Sequence, residues 1–271
     1  MGAFGTAPTV TASYPLKMSQ TVVKTISKGT GPVVSAADAL VEVNHVGINM
    51  ATGETFDSSF ERGGTASFTL DQVVTGFAKA IKGQTVGSRV LVGMTGEDGY
   101  DAVGGNAEIG INLGDSLLFV LDIVSTQLTG PHGTPVAPVA GLPTVIDANG
   151  VPTVTIPAGV APSADLKVHP LIKGDGAAVT LSDDITVNYV AVNYADGKII
   201  ESTFGQAPES GSLLQLIPAW RTGLVDQTVG SRVLIVSPPS QAYPKGNATP
   251  SIQPGTTIVY VVDILYRQAV Q

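Results

Sequence analysis

The octapeptide QTVGSRVL occurs twice in this chain of 271 residues, at Gln84–Leu91 and at Gln227–Leu234, an offset of 143 residues (227 − 84). The tetrapeptide PTVT also recurs, at Pro8–Thr11 and Pro152–Thr155. Matches in the same order at nearly one offset are the signature of an internal duplication. The sequence therefore predicts two units of the same fold in tandem.

The segment between the two copies has the composition of a linker. Residues 129–141, TGPHGTPVAPVAG, are rich in Pro, Gly and small side chains, which favours a semi-rigid connection. We therefore expect a first domain over residues 1–128, a linker over 129–141 and a second domain over 142–271. Each domain, at about 130 residues, is long enough for its own hydrophobic core.

Strand patterns dominate both units. Apolar and polar side chains alternate in LVEVNHVG (Leu40–Gly47) and ITVNYVAV (Ile185–Val192), as in half-buried strands. Further strands are predicted at residues 89–93, 117–124, 232–237 and 258–265.

Each unit also contains one short helical pattern. Apolar residues follow helical spacing from Val73 to Ile81, where Asp71 can cap the start and Gly83 can end the helix. The matching helix of the second unit is predicted at Ile217–Leu224. The predicted class is therefore α+β, with a curved antiparallel sheet around one short α-helix in each unit.

Charge and composition exclude several classes of function. The net charge is −8, from 14 Lys and Arg against 22 Asp and Glu, whereas nucleic-acid binding needs clustered basic residues. Cysteine is absent, which excludes disulfides, thiol catalysis and zinc–thiolate sites. The best apolar runs, residues 117–124 and 258–266, are far shorter than the ~20 residues that span a bilayer. We expect neither a transmembrane segment nor a signal peptide in this chain.

The side chains that perform hydrolysis or metal chemistry are not grouped in the sequence. His45, His132 and His169 have no second histidine at a metal-ligand spacing, and no HExxH, Walker A or nucleophile-elbow motif occurs. The acidic residues within 97–101 fit a solvated loop better than a calcium site. We therefore expect no metal and no cofactor.

Aromatic side chains recur at matching places in the two units. The first unit has Phe56, Phe68, Phe77, Tyr100 and Phe119, and the second has Tyr189, Trp220, Tyr243 and Tyr260. A shared hydrophobic core and an aromatic-walled pocket both explain the recurrence. The spacing alone favours the core.

Several segments together resemble FKBP-type peptidyl-prolyl cis–trans isomerases. In the first unit they are VEVNHVG, GETFDSSFERG, VVTGFAKAIKGQTVGSRV and SLLFVLDIV. In the second they are ITVNYVA, DGKIIEST, LIPAWRTGLVDQTVGSRV, SPPSQAYPKG and TTIVYVVDIL. The chain is similar to tandem, actinobacterial secreted or lipid-anchored members. The resemblance implies two half-barrels, each around a short helix, rotation about X–Pro bonds, and no cofactor.

For the first unit, the resemblance implies a catalytic pocket that keeps most of the family's residues. The implied catalytic positions are Phe56, Asp57, Val73, Val74, Phe77, Tyr100 and Phe119. The implied substrate-binding positions around them are His45, Arg62, Phe68 and Ile111. The unit departs from the family at His45, where Tyr is usual, at Phe77, where Trp is usual, and at Ala66, where Phe is usual.

For the second unit, the resemblance implies a pocket with a well-kept floor and an altered wall. The implied substrate-binding positions are Tyr189, Ile200, Glu201, Leu216, Ile217, Trp220, Tyr243, Ile252 and Tyr260. Ile200 and Glu201 replace the family's Phe–Asp pair, and Gln206 replaces its Arg. We therefore expect weak or no isomerase activity in this unit.

Three functional hypotheses follow from the resemblance. The first is a peptidyl-prolyl isomerase that helps extracytoplasmic proteins fold, catalyses mainly in the first domain, and binds proline-containing segments and macrolide inhibitors. The alternative is a non-catalytic peptide-binding module with degenerate pockets, and a third is a purely structural protein whose pockets are filled. The low Lys and Glu content and the Thr/Pro/Gly/Ala-rich ends favour an extracellular or cell-envelope location.

Overall fold

An antiparallel sheet forms the first unit, residues 1–127, of the computed structural model, which describes residues 2–36 and 38–269. Its strands are β1 (Val22–Ser27), β2 (Leu40–Asn49), β3 (Thr55–Ser58), β4 (Ala66–Thr69), β5 (Arg89–Met94) and β6 (Leu117–Thr126). Its helices are α1 (Ser59–Arg62) and α2 (Thr75–Ile81), with 3₁₀ turns at Asp101–Val103 and Ala107–Ile109.

The sheet of the first unit runs in the order β1-β5-β6-β2-β3, and β4 also pairs with β2. The alternation predicted for β2 is confirmed, because Val41, Val43 and His45 are buried while the residues between them are partly exposed. Helix α2 presents Phe77 and Ile81 to the same core. The strand period of two and the helical period thus bring their apolar sides together.

The second unit, residues 128–271, repeats this arrangement. Its strands are β7 (Gly133–Pro135), β8 (Thr144–Ala148), β9 (Val151–Thr155), β10 (Lys167–Gly174), β11 (Asp184–Asn193), β12 (Ile199–Ser202), β13 (Glu209–Ser212), β14 (Arg232–Ser237) and β15 (Ile258–Gln268). Helix α3 spans Pro218–Leu224, and 3₁₀ turns lie at Leu213–Gln215 and Pro239–Gln241.

The two sheets share one topology. The second sheet runs β12-β11-β15-β14-β10-β7 with β13 paired to β11, so every strand of the first sheet has a counterpart in the second. Strand β7 lies inside the segment expected as a linker and pairs with β10, and β8 and β9 form a separate hairpin. The predicted α+β class, with two open sheets around short helices, is confirmed.

The arginine of the repeated octapeptide joins two neighbouring strands in each sheet. Arg89 donates from Nε and Nη2 to the two carboxylate oxygens of Asp122, at 2.6 and 2.7 Å. Arg232 does the same to Asp263, at 2.6 and 2.8 Å. All four side chains are almost fully buried. Bidentate pairing offsets the cost of burying these charges, and it ties β5 to β6 and β14 to β15.

The serine of the octapeptide makes the same backbone contact in both units. The backbone N–H of Gly29 donates to Ser88 Oγ, and that of Gly174 donates to Ser231 Oγ, both at 2.9 Å. A Cβ at Gly29 or Gly174 would overlap the carbonyl oxygen of Val86 or Val229. Both positions need glycine because two backbone segments approach closely there.

In each unit, a segment that precedes strand β1 or its counterpart β10 is anchored on that unit's buried ion pair. In the first unit Arg89 Nη2 donates to the carbonyl of Thr6 at 2.6 Å, and Gly5 N donates to Asp122 Oδ2 at 2.7 Å. In the second unit Arg232 Nη1 donates to Asp147 Oδ2 of β8 at 2.5 Å. The second PTVT copy lies in the hairpin strand β9, whereas the first copy forms no strand.

Two details of the helices differ from the prediction. The first helix begins after Val74, which has no side-chain cap; Asp71 instead accepts a hydrogen bond from Thr69 Oγ1, so its predicted role as a cap is wrong. The single turn α1 was not predicted; it is capped by Ser58 Oγ, which accepts from Glu61 N at 3.3 Å. In the described part of the chain, every helix is too short to cross a membrane.

Candidate functional site

Four phenylalanines and a histidine meet between α2 and the sheet of the first unit. Phe77 packs edge-to-face on Phe119, with ring centroids 4.6 Å apart, and on Phe68 at 5.6 Å. Phe56 packs edge-to-face on Phe119 at 5.4 Å. Such perpendicular contacts suit the electrostatics of aromatic rings. We call this group, together with Asp57 and Tyr100, the first pocket.

A glycine in the central strand β2 makes room for these rings. Gly47 pairs with Phe119 on one side and with Asp57 on the other. A Cβ at this position would lie 2.6 Å from Phe119 Cε1 and 2.8 Å from Phe56 Cζ. The equivalent residue of the second unit is Ala191, which pairs with Tyr260 and Glu201.

The carboxylate of Asp57 is held by two partners. His45 Nε2 lies 2.7 Å from Asp57 Oδ2, and Arg62 Nη1 donates to Asp57 Oδ1. Partial burial raises the pKa of Asp57, but the hydrogen bonds and charges of Arg62 and His45 outweigh it and leave this pKa below its usual value. The first pocket therefore has an ionised carboxylate whose charge is compensated.

The first pocket also offers hydrogen-bond donors. Burial, and then the charge of Asp57, raise the pKa of Tyr100, so its hydroxyl remains protonated. In residues 2–36 and 38–269 this hydroxyl has no hydrogen-bond partner, and neither has the backbone N–H of Val74 at the start of α2. Both can donate to an incoming carbonyl. Val73 is partly buried against the same core, and Ile111 is fully buried within it.

The second unit contains a cavity of about 130 Å³ at the equivalent place. The sheet contributes Tyr189, Ile200, Glu201 and Tyr260 to its lining, and the segment around α3 contributes Leu216, Ile217 and Trp220. The loop between β14 and β15 adds Tyr243 and Ile252. All nine positions implied for this unit thus lie together, in what we call the second pocket.

Aromatic packing fixes the floor of the second pocket. Trp220 of α3 packs edge-to-face between Tyr189, at 5.0 Å, and Tyr260, at 5.6 Å. Burial is the largest cause that raises the pKa of both tyrosines, and for Tyr189 the hydrogen bond to Glu201 follows. Tyr243, at the rim, has a pKa raised by burial and then by the charge of Glu201. All three hydroxyls therefore stay protonated.

The acidic wall differs between the two pockets. Tyr189 donates its hydroxyl proton to Glu201 Oε2 at 2.8 Å, as His45 bonds to Asp57 in the first unit. Gln206, at the position of the arginine, donates instead to the carbonyl of Ser202. Among the described residues Glu201 forms no ion pair.

Three lining residues of the second pocket were missed by the sequence analysis: Ala191, Glu209 and Pro250. Glu209 pairs with Val187 in the ladder between β13 and β11, as Ala66 pairs with Val43 in the first unit. The position was recognised as unusual at Ala66, but its second copy was not identified because the short strand β13 has no hydrophobic alternation. Sheet register supplies the missing correspondence.

Potential metal-ligating side chains are scattered in the part of the chain that the structure describes. Among residues 2–36 and 38–269, no three His, Asp or Glu side chains are arranged to hold one. In the acidic loop, Asp98 pairs with Lys79 at 2.7 Å, and Asp101 accepts a hydrogen bond from Gly114 N at 2.7 Å. Asp98 and Asp101 of that loop therefore have structural partners.

Comparisons with known proteins match both units. A family model described as FKBP-type peptidyl-prolyl cis-trans isomerase matches residues 31–124 and 176–265, about two thirds of the chain. A probable FK506-binding protein of Corynebacterium glutamicum is 32% identical over 116 residues, which are 42% of this chain and 96% of that relative. An FK506-binding protein of Streptomyces anulatus is 36% identical over 106 residues, 38% of this chain and 83% of that relative. Among solved structures, the three FKBP domains of wheat FKBP73 cover 92% of this chain and 95% of their own, at 18% identity and a TM-score of 0.37.

Proposed function

The chain belongs to the FKBP-type peptidyl-prolyl cis-trans isomerase family, and on that premise we propose that it catalyses rotation about X–Pro bonds mainly in its first unit. The observation that carries this assignment is Asp57, held by His45 and Arg62 beside the ring of Phe56. No equivalent of the Phe–Arg combination exists in the second pocket, where Ile200 and Gln206 take those places.

Catalysis of this reaction needs no nucleophile. The planar amide is stabilised by resonance, and the barrier to rotation is about 18–20 kcal/mol. The twisted amide has lost that resonance and is less polar, so an apolar site that excludes water disfavours the planar form relative to it. Each tenfold gain in rate requires about 1.4 kcal/mol. A few contacts that favour the twisted amide are therefore sufficient.

The residues of the first pocket fit separate parts of this task. Phe56, Phe77 and Phe119 supply apolar walls for the proline ring. The Tyr100 hydroxyl and the Val74 N–H are free donors that can orient the carbonyls on either side of the bond. Asp57 gives the wall a fixed charge, and its two partners keep that charge ionised.

We assign the second unit a binding role with weak turnover. Its cavity, its Trp220 floor and its Tyr243 hydroxyl are suited to a proline segment. Its wall has neither an aromatic ring at Ile200 nor a cation beside Glu201. A protein in which both pockets only hold peptides is the alternative, and it makes the opposite prediction for turnover.

Two further parts of the proposal concern ligands and location. Relatives of this chain are named FK506-binding proteins, and we propose that macrolides of that class bind the first pocket more tightly than the second. We also propose that the clients are proteins folding outside the cytoplasm. The low charged content, 13% of residues, and the small, Pro-rich ends of the chain favour such a location.

The deciding experiment measures cis–trans exchange of a short X–Pro peptide by NMR with the full chain. Phe56→Ala is expected to remove most of the exchange, because the wall that packs on Phe119 at 5.4 Å is lost. Ile200→Ala, at the equivalent position of the second unit, is expected to remove only a minor share. Phe4→Ala is the matched control, since the ring of Phe4 is exposed.

The result can contradict the assignment in two ways. Exchange that survives Phe56→Ala and is lost in Ile200→Ala would place turnover in the second unit. Peptide binding without any catalysed exchange in the unaltered chain would establish the binding-module alternative. Circular dichroism of each variant shows whether the fold is retained.

A further inference from the structure

Resting on the proposed function, we propose that the second pocket selects proline segments that carry a lysine or arginine immediately before the X–Pro dipeptide. The specificity-determining residues are Glu201 and Glu209, which both line the cavity. A basic side chain that flanks the proline would pair with these carboxylates while the proline ring enters the cavity.

The two carboxylates are placed by the backbone of the sheet. Glu201 pairs with Ala191 and Glu209 with Val187, so strands β12 and β13 both pair with the same strand, β11. Glu201 is further held by the Tyr189 hydroxyl at 2.8 Å. Burial is the largest cause that raises the pKa of Tyr189, and both carboxylates add to it, which is consistent with their facing the same region.

Neither charge is compensated by a described residue of the protein. In the described part of the chain no Lys, Arg or His forms an ion pair with Glu201 or Glu209. In the first unit the corresponding wall is neutralised, since Asp57 pairs with Arg62, and the counterpart of Glu209 is Ala66. The two pockets share one framework but differ by two uncompensated negative charges.

The floor and the volume of this cavity suit a proline ring. Trp220 is 7% exposed and lines the cavity, yet its buried Nε1–H has no acceptor among residues 2–36 and 38–269. A buried donor without a partner is costly, so this ring is held in place by its packing against Tyr189 and Tyr260. The cavity of about 130 Å³ is close to the ~150 Å³ that accommodates a benzene-sized ring.

The size of the preference follows from the exposure of the carboxylates. Glu209 is exposed and Glu201 half-buried, so each pair with a basic side chain is worth a factor of about 1.5 to 5 in affinity. Together they predict an affinity for a lysine-flanked peptide about fivefold higher than for a glutamate-flanked one at low salt. The ratio should fall towards about twofold at high salt, because exposed charges are screened.

The chain provides its own reporter for the test. Trp220 is its single tryptophan and forms the floor of this pocket. Blocked peptides Ala-Xaa-Ala-Pro-Ala, with Xaa as Lys, Gln or Glu, are titrated into the full chain while tryptophan fluorescence is recorded. A peptide in which Ala replaces Pro shows whether the response depends on proline.

Variants separate these two carboxylates from the overall negative charge of the protein. Glu201→Gln keeps an acceptor for the Tyr189 hydroxyl, and Glu209→Gln alters an exposed side chain. The double variant is expected to bind the Lys, Gln and Glu peptides equally. Asp226→Asn is the matched control, because it removes one exposed charge of the second unit outside the pocket and asparagine tolerates the positive φ of 66° there. It should keep the preference.

The failures of the two proposals are distinguishable. Equal binding of the Lys and Glu peptides by the unaltered chain overturns the specificity while exchange catalysis stands. A preference that survives the double variant also overturns it. No fluorescence response, with exchange retained, shows that the second pocket takes no proline segment and overturns it as well. Absence of both binding and exchange overturns the proposed function itself.

Discussion

His45 and Asp57 are joined by a hydrogen bond of 2.7 Å between Nε2 and Oδ2. Because an ionised carboxylate only accepts, the Nε2 atom carries the proton, and His45 does for Asp57 what the Tyr189 hydroxyl does for Glu201. The histidine that departs from the family pattern therefore preserves the hydrogen bond of that position. It leaves Nδ1 buried without a partner among the described residues.

His45→Phe is expected to slow exchange about tenfold, because a hydrogen bond to a charged group contributes roughly 1.5–3 kcal/mol and Asp57 would lose its orientation. His45→Tyr is expected to recover most of the rate, since a tyrosine hydroxyl can donate to the carboxylate as Tyr189 does. NMR exchange rates of the three proteins provide the comparison. A phenylalanine variant at the full rate, or a tyrosine variant no faster than it, would show that the bond has no part in turnover.

Arg62→Gln is expected to move the acid limb of the rate profile to higher pH. In the unaltered chain Arg62 and His45 hold the Asp57 pKa below 3.8 against the effect of burial, so activity persists until the pH falls through that lowered value. Without Arg62, burial raises the pKa and protonation begins at higher pH. The rate is measured from about pH 3 to pH 7, the span that brackets ordinary carboxyl groups. Lys198→Gln, which breaks an exposed pair with Asp196, is the control.

The stability of the fold is expected to depend on pH in the same direction as the exchange rate. A carboxyl whose folded-state pKa is lowered stabilises the fold above its unfolded pKa, and this contribution disappears as the pH falls through the folded value. If the limb of Arg62→Gln coincides with that of the unaltered chain, the arginine does not control Asp57.

Gly47→Ala is expected to disrupt the first pocket. The added methyl would lie 2.6 Å from Phe119 Cε1 and 2.8 Å from Phe56 Cζ, so both rings must shift. Overpacking of this kind costs about 1–3 kcal/mol, and we expect a lower unfolding midpoint together with slower exchange. Gly211→Ala is the matched control, because a Cβ on that strand glycine meets nothing within 4 Å. Equal behaviour of the two variants would mean that the rings do not need the space.

Arg232→Met is expected to lower the free energy of unfolding of the second unit by about 3–5 kcal/mol, since Asp263 would be buried without its partner. The double variant Arg232→Met/Asp263→Leu should recover much of the loss. Urea titration followed by Trp220 fluorescence reports on this unit. A shift below about 1 kcal/mol in the single variant would show that other groups satisfy Asp263.

Much of the fold could be predicted because the same strand patterns and the same octapeptide occur in both halves of the sequence. Apolar and polar residues alternate over residues 41–44 and 185–189, and the octapeptide marks equivalent places in both sheets. The single turn α1 could not be found, because four residues are too few to show a helical period. Asp71 was a sound candidate for a helix cap, but the chain stays extended to Val74 before turning into the helix.

The residues of the candidate pockets could be predicted only in part from the sequence. The nine implied positions of the second unit meet at one cavity, since a family pattern carries three-dimensional information that spacing lacks. Glu209 was missed because its role depends on a ladder partner, Val187, that is distant in sequence. The missing cation near Glu201 could be suspected from Gln206, whereas the missing acceptor of Trp220 Nε1 is visible only with coordinates.

The buried ion pairs of the octapeptide lie apart from both pocket linings, and they hold two sheets of equal register. Strand β3 pairs with β2, and β12 pairs with β11, at equivalent residues: Gly47 lies opposite Asp57, and Ala191 lies opposite Glu201. The residues that hold each sheet together therefore differ from those that line its pocket. We expect the short wall strand of one domain to fit the other sheet in the same register, so the duplication suits the engineering of two different proline-binding surfaces on one polypeptide.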